Sequence, residues 1–193
     1  RWMPMPSVEW QGQRDLTIRN EAFALEQNGQ PVTLMRYRLH NSGRRPVDGT
    51  LSLLVRPLQV NPPWQHGGWS PIRQIAIEEI AGHTRVRVDG RTLLASMTPV
   101  GAAGAAPFGA HGDTEITAAA ARGTPPAARE ASDASGLAAG MLSYPVRIAP
   151  GATRDIVIAL PLGTTALDPA TGELTEPPAI DFAALTGDAA TPS

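Results

Sequence analysis

Alternation of hydrophobic and polar residues with a period of two is the dominant pattern in this 193-residue chain. This alternation is typical of β-strands, because successive side chains of a strand point to opposite faces of the sheet. The runs lie at residues 16–19, 35–40, 51–55, 75–77, 86–88, 142–148 and 156–160. In the second run the polar positions are Arg36, Arg38 and His40, which we expect on the outer face of one strand. The pattern predicts about eight to ten strands.

Turn residues separate these runs. Asn28-Gly29 and Asp89-Gly90 favour two-residue hairpins, because both central positions of such a turn need a positive φ. Asn41-Ser42-Gly43 and Ala149-Pro150-Gly151 indicate longer reversals. Parallel strands would need helical crossovers, and residues 1–100 contain no pattern for one. We therefore predict an all-β fold, an antiparallel β-sandwich.

Residues 101–140 interrupt the alternation. The Gly- and Ala-rich stretch at 101–110 shows neither the helical nor the strand period. Asp113 is a predicted N-cap for a short helix over 114–122, which Gly123 ends. We expect a long insertion with one short helix, packed over an edge or end of the sandwich.

The domain boundaries follow from the extent of the strands. We expect the sandwich to occupy residues 8–163, with a linker from a preceding segment at 1–7 and a linker or tail at 164–193. The chain starts with Arg1 and ends in a polar segment, so we expect it to belong to a longer polypeptide.

Composition narrows the possible chemistry. The sixteen basic residues are all arginine and cysteine is absent, which excludes a Schiff-base lysine, a P-loop lysine and a cysteine nucleophile. The net charge of −2 gives no electrostatic footprint for nucleic acid. No apolar run approaches the roughly 20 residues that a membrane helix needs. We expect neither nucleic acid nor membrane among the partners.

Catalytic and metal-binding groups do not assemble from the sequence pattern. Glu78 and Glu79 are adjacent, so on a strand they point to opposite faces and cannot flank one glycosidic bond. The four histidines have no short metal-ligand spacing. His66-Gly67-Gly68 is similar to the oxyanion loop of esterases, but the chain has no Gly-x-Ser-x-Gly elbow. We predict no catalytic residue, no metal and no cofactor.

The best candidate for a binding surface is the loop at residues 59–71, which we call the tryptophan loop. It contains two of the four tryptophans among prolines and glycines, and binding surfaces concentrate on such loops. Indole faces stack on sugar rings, but the same rings also pack into a core or against a neighbouring domain. The predicted ligand or domain contacts are Arg56, Asn61, Trp64, Gln65, His66 and Trp69.

Two groups of segments carry a resemblance to a known family. The first is LLVRPLQVNPPWQ at residues 53–65 with GGWSPI at 67–72, and the second comprises residues 112–123, 135–136, 141–144, 149–151 and 158–162. These segments resemble the β-sandwich of bacterial discoidin (coagulation factor 5/8 type C) domain-containing proteins with a six-hairpin-glycosidase-like region. The Ala-rich stretch at 101–110 and the polar ending depart from that pattern.

The resemblance implies a supersandwich of the galactose-mutarotase-like kind, joined to an (α/α)6 barrel that supplies the catalytic carboxylates. It also implies a periplasmic or secreted location. The leading hypothesis is a non-catalytic accessory sandwich of a glycoside hydrolase-like protein, which supports the barrel and lines its substrate cleft through the tryptophan loop. The alternatives are an independent carbohydrate-binding module for oligo- or polysaccharide and a purely structural sandwich without a ligand.

Overall fold

The computed structural model describes residues 6–12, 15–27, 30–59, 68–80, 82–109 and 115–161. Within these ranges nearly all regular structure is β, with one short helix, which confirms the all-β prediction. The elements are β1 (Ser7–Gln11), β2 (Leu16–Gln27), β3 (Gln30–Asn41), β4 (Val47–Val55), β5 (Leu58–Gln59), β6 (Trp69–Ser70), β7 (Gln74–Ile80), β8 (His83–Val88), β9 (Arg91–Ser96), β10 (Ala102–Ala106), α1 (Glu115–Arg122), β11 (Glu130–Ser132), β12 (Ala139–Ile148) and β13 (Thr153–Pro161).

The chain divides into two compact units, and each is built from separate pieces of sequence. The first unit comprises Arg1–Val47, Leu94–Thr98 and Ile148–Ser193, and the second comprises Asp48–Leu93 and Pro99–Arg147. Residues 1–5 and 162–193 lie outside the described ranges. The predicted boundaries at 1–7, 8–163 and 164–193 therefore stay a prediction.

The first unit contains antiparallel strands in the order β1-β2-β3-β13-β9. The alternation of side chains gives this sheet two different faces. One face buries Leu39, Ile156 and Ile158. The other face is apolar at one end, where Val32, Leu34 and Ala159 are buried and pack with Phe23, Leu25 and Met97. The remainder of that second face is charged.

A fully buried asparagine, Asn41, organises one end of the first unit. Its amide nitrogen donates to the carbonyl oxygens of Arg45 (2.8 Å) and Ile148 (3.0 Å), and its amide oxygen accepts the N–H of Gly43 at 2.9 Å. Its backbone oxygen accepts the N–H of Gly151 at 2.8 Å. Asn41 thus bonds both reversals that the sequence predicted here, through its side chain at Gly43 and through its backbone oxygen at Gly151.

The second unit contains two larger antiparallel layers, one in the order β8-β7-β11 beside the start of β9 and one in the order β10-β12-β4. The layers meet where Gly140 of β12 faces β7, since an added Cβ would lie 2.7 Å from Cδ1 of Ile75. This arrangement is sandwich-like. Asp89 and Gly90 have φ of 47° and 79°, which confirms the predicted hairpin turn between β8 and β9. The predicted turn at Asn28-Gly29 lies outside the described residues.

The prediction for residues 101–110 was wrong over half of its length, because Ala102–Ala106 is strand β10, paired with β12. Its alternation is invisible in the sequence, since alanine and glycine fill buried positions on both faces. Gly104 is required there, because a Cβ would overlap the carbonyl oxygen of Pro126. The backbone of Ala105 also donates to the carbonyl of Ala128, at 2.7 Å. This stretch is therefore part of a layer of the second unit.

The predicted helix is present as α1, from Glu115 to Arg122, while Asp113 and Thr114 lie outside the described residues. Gly123 ends the helix as predicted, with φ of 70° and its N–H donating to the carbonyl of Ala120 at 3.0 Å. The apolar side of the helix buries Ile116 and Ala119 against residues of β12.

Candidate functional site

The tryptophan loop is closed at its base by a short hairpin stem. Strands β5 and β6 pair antiparallel, with Leu58 opposite Ser70 and Gln59 opposite Trp69. Arg56 precedes the stem and is exposed. Among the other predicted contacts, Trp69 lies in β6. The remaining four, Asn61, Trp64, Gln65 and His66, lie outside the described residues. The structure therefore places Arg56 just before the stem at the base of the loop, and Trp69 within the stem.

A backbone clamp holds the chain where it leaves the loop. The N–H of Ile72 donates to the carbonyl of Gly136 at 2.8 Å, and the carbonyl of Ile72 accepts the N–H of Ala138 at 3.1 Å. Gly136 has φ of 80°, and a Cβ at this position would lie 2.5 Å from Cβ of Pro71. Only glycine fits both the left-handed backbone and the close approach.

The clamp is supported by Asp133, a residue that was not among the predicted contacts. Its Oδ1 accepts the N–H of Ser135 at 2.9 Å and the hydroxyl of Ser135, and its Oδ2 accepts the N–H of Phe108 at 2.8 Å. The Ser135 hydroxyl and the surrounding N–H groups hold the pKa of Asp133 below its usual range, because they favour the ionised carboxylate. The signal available in the sequence was Asp133-Ala134-Ser135-Gly136, a set of turn-forming residues.

The adjacent carboxylates Glu78 and Glu79 have separate partners, as their neighbouring strand positions predicted. Oε2 of Glu78 accepts from Nη2 of Arg85 at 2.6 Å, directly across the β7–β8 ladder. Oε1 of Glu79 accepts from the hydroxyl of Thr84 at 2.8 Å, and Glu79 is the more exposed of the two. Each carboxylate thus serves cross-strand pairing in the second unit.

The histidines and acidic residues do not cluster in the part of the chain that the structure describes. Nδ1 of His40 lies 3.1 Å from the hydroxyl of Thr153, and His83 is in β8. His66 and His111 lie outside the described residues. Within residues 6–12, 15–27, 30–59, 68–80, 82–109 and 115–161, no three His, Asp or Glu residues are placed to hold a metal ion. Over the same ranges, no helix has the length and apolar character needed to cross a membrane.

A charged ladder crosses β2, β3 and β13 in the first unit. Oε2 of Glu21 accepts from Nε and Nη2 of Arg36 at 2.8 and 2.6 Å, and Oε1 lies 3.1 Å from Nε of Arg19. Arg38 donates a bidentate pair of hydrogen bonds to Asp155, with both distances at 3.0 Å, and this pairing raises the pKa of Arg38. These contacts join three strands through their side chains.

The ladder corrects the expectation that Arg36 lies on an outer face, because Arg36 and Glu21 are only 7% and 8% exposed. Arg38 and His40 share that face and are partly exposed. Arg36 can be buried because the carboxylate of Glu21 lies directly opposite it on the neighbouring strand and compensates its charge.

Comparison with models of known protein families and with curated proteins finds no match. Over the residues that the structure describes, the class that the fold defines is all-β, with antiparallel sheets and one short helix. The resemblance to discoidin domain-containing proteins with a six-hairpin-glycosidase-like region stays a prediction.

Proposed function

We propose that this chain is a non-catalytic accessory β-sandwich of a carbohydrate-active multidomain protein, and that the tryptophan loop is its contact surface. The observation that carries the proposal is the construction of the loop base. A hairpin stem closes the loop at Gln59 and Trp69, and the clamp at Ile72 fixes the chain that leaves it. A loop held at its base presents its side chains at a lower entropic cost than a free segment.

The tryptophans of the loop support a role in contacting carbohydrate or protein, because large aromatic side chains are costly to leave exposed to solvent without a partner. Trp64 and Trp69 provide flat apolar faces, and Asn61, Gln65 and His66 provide hydrogen-bonding groups for hydroxyls. Arg56, exposed beside the stem, adds a fixed positive charge at the loop base.

The carbohydrate context comes from the family resemblance of residues 53–72. Within that context the proposed partner is an (α/α)6-barrel domain of the same polypeptide, and the proposed ligand is the oligo- or polysaccharide that this domain processes. The division of labour is physical, since a two-layer sandwich offers a stiff platform to a neighbouring domain.

The first test is a binding screen of the 193-residue chain against soluble oligosaccharides and insoluble polysaccharides, by calorimetry and pull-down. If the loop contacts glycan, the Trp64→Ala/Trp69→Ala variant should bind at least about tenfold more weakly. Trp10→Ala is the matched control, because it removes a half-exposed indole from β1 and leaves the loop intact. Equal binding by the chain and both variants would contradict the assignment of the loop.

Absence of glycan binding by a folded chain would direct the test to the parent polypeptide. There the same double variant should lower carbohydrate-processing activity or the melting temperature of the assembled protein. An unchanged activity together with an unchanged melting temperature would overturn the proposal, since the loop would then contact neither substrate nor a neighbouring domain.

A further inference from the structure

Strand β1 forms an open edge of the sheet in the first unit. It pairs with β2 on one side, and among the described residues no strand pairs with its other side. All five of its residues are exposed. Val8 and Trp10, two positions apart and therefore on one face, are 55% and 48% exposed. An open edge with exposed apolar side chains is a template for pairing with another strand.

The hydrogen bonds to β2 determine which backbone groups of β1 point outward. The carbonyl of Pro6 accepts the N–H of Ala22 at 3.1 Å, and the N–H of Gly12 donates to Leu16 at 2.6 Å. Because antiparallel strands alternate their bonding direction from residue to residue, the even-numbered residues of β1 bond β2. The N–H and C=O groups of Ser7, Glu9 and Gln11 therefore point toward the open edge.

We propose that this edge pairs with the same edge of a second copy of the chain, antiparallel, with Glu9 opposite Glu9 of the second copy. Only registers that oppose odd-numbered residues can form hydrogen-bonded pairs from the outward groups. The Glu9-centred register also places Ser7 opposite Gln11, which gives three such pairs and about six backbone hydrogen bonds. Shifting the centre to Val8 or Trp10 loses one pair from β1.

The side chains favour a second copy because their pattern is self-complementary in this register. Val8 lies opposite Trp10 of the second copy, and Trp10 opposite Val8 of the second copy, at positions where the strands approach most closely. A β-branched residue opposite an aromatic one is a favourable cross-strand pair. Both apolar side chains that β1 exposes are covered by this single register.

Glu9 limits the strength of the pairing. On the opposite face the two Glu9 side chains meet directly, and like charges in directly opposed positions are destabilising. Arg19, on β2, lies directly opposite Glu9 of the same copy, but it contacts Glu21 at 3.1 Å and the hydroxyl of Ser7 at 3.4 Å. A charged residue at the centre of an open edge is a known device against uncontrolled association.

The size of the edge defines the kind of complex. A contact formed by one five-residue strand from each copy buries less than the roughly 1,200 Å² of a standard stable interface. The dimer is therefore weak and reversible, with a dissociation constant on the order of 0.1 mM.

Sedimentation equilibrium of the 193-residue chain, from about 10 μM to about 1 mM, tests the proposal. The wild-type chain should show a monomer–dimer equilibrium, and Glu9→Gln should tighten it by about two- to fivefold. Trp10→Ala should weaken it at least about fivefold. Leu54→Ala is the control, because it removes an exposed apolar side chain from β4 and should leave the equilibrium unchanged.

Gln11→Pro tests the open edge of β1 without changing the pairing of β1 with β2. The N–H that proline removes points outward, so the variant should abolish dimerisation while the bonds between β1 and β2 and the melting temperature persist. A chain that stays monomeric at about 1 mM even as Glu9→Gln overturns the proposal. A dimer of equal strength in both Gln11→Pro and Trp10→Ala also overturns it, because the contact then lies elsewhere.

Discussion

The buried pair of Glu21 and Arg36 allows a quantitative prediction, in which each residue is replaced by methionine singly and then together. Methionine approximates the volume of both side chains without their charge. The effect of each change depends on which charge remains buried. Removal of Glu21 leaves the guanidinium of Arg36, 7% exposed, without its carboxylate. Removal of Arg36 leaves Glu21 with Arg19, at 3.1 Å.

Because of these contacts, we expect the three variants to differ in how much free energy of unfolding they lose. Glu21→Met should lower the free energy of unfolding by about 3–5 kcal/mol, the usual cost of an uncompensated buried charge. Arg36→Met should cost about 1–3 kcal/mol, because Glu21 keeps one charged hydrogen-bond partner. The double variant should lie within about 1 kcal/mol of the parent, since a buried pair and an apolar pair of similar volume are often equivalent.

The free energies come from urea unfolding followed by circular dichroism, with the denaturant slope compared among variants. The control is Asp155→Asn, which weakens the Arg38–Asp155 pair of the same ladder. That pair has good geometry at 3.0 Å, but its side chains are 38% and 35% exposed, so the change should cost about 1 kcal/mol or less. If Glu21→Met costs no more than Asp155→Asn, burial does not determine the energetics of this ladder.

Two further predictions concern packing and acid stability. Gly104→Ala should lower the free energy of unfolding by about 3 kcal/mol or more, because its Cβ would overlap the Pro126 carbonyl. Gly49→Ala should be near neutral, because nothing lies within 4 Å of a Cβ there. Equal melting temperatures for the two variants would contradict this prediction. The Ser135 hydroxyl lowers the pKa of Asp133 in the folded state. Ionised Asp133 therefore stabilises the fold fully above its unfolded-state pKa, about 3.9, and this stabilisation is lost as the pH falls through the folded-state pKa. Asp133→Asn should remove that part of the acid dependence of unfolding, and an unchanged pH profile would argue against it.

Strands with a contrast between the two faces were predictable from the sequence, because burial on one face is encoded locally as alternation. The Asp89-Gly90 turn was predictable for the same reason, since its conformation needs only those two residues. Strand β10 was not, because alanine and glycine carry little hydrophobic contrast. Its burial arises from segments distant in sequence, such as Pro126 beside Gly104.

The candidate site also combines features that neighbouring residues encode with features that depend on residues distant in sequence. The sequence allowed the tryptophan loop to be chosen by its composition, but the clamp at its base depends on Ile72 meeting Gly136, residues with no local relation. The turn at Asp133 is recognisable from its neighbours, whereas its bond to Phe108 is not. Likewise, the burial of Arg36 depends on Glu21, which is brought opposite it only by the register of β2 and β3.

The interleaved order of the two units has a consequence for synthesis of the chain on the ribosome. The second unit is complete once Arg147 has emerged, whereas the first unit still lacks β13, which lies between β3 and β9 in its sheet. At roughly 5–20 residues per second, the β2–β3 pair waits for seconds with one side unpaired while the rest of the chain is made. Nascent β3 would thus benefit from protection by a chaperone, and slow translation before Thr153 would prolong its exposure.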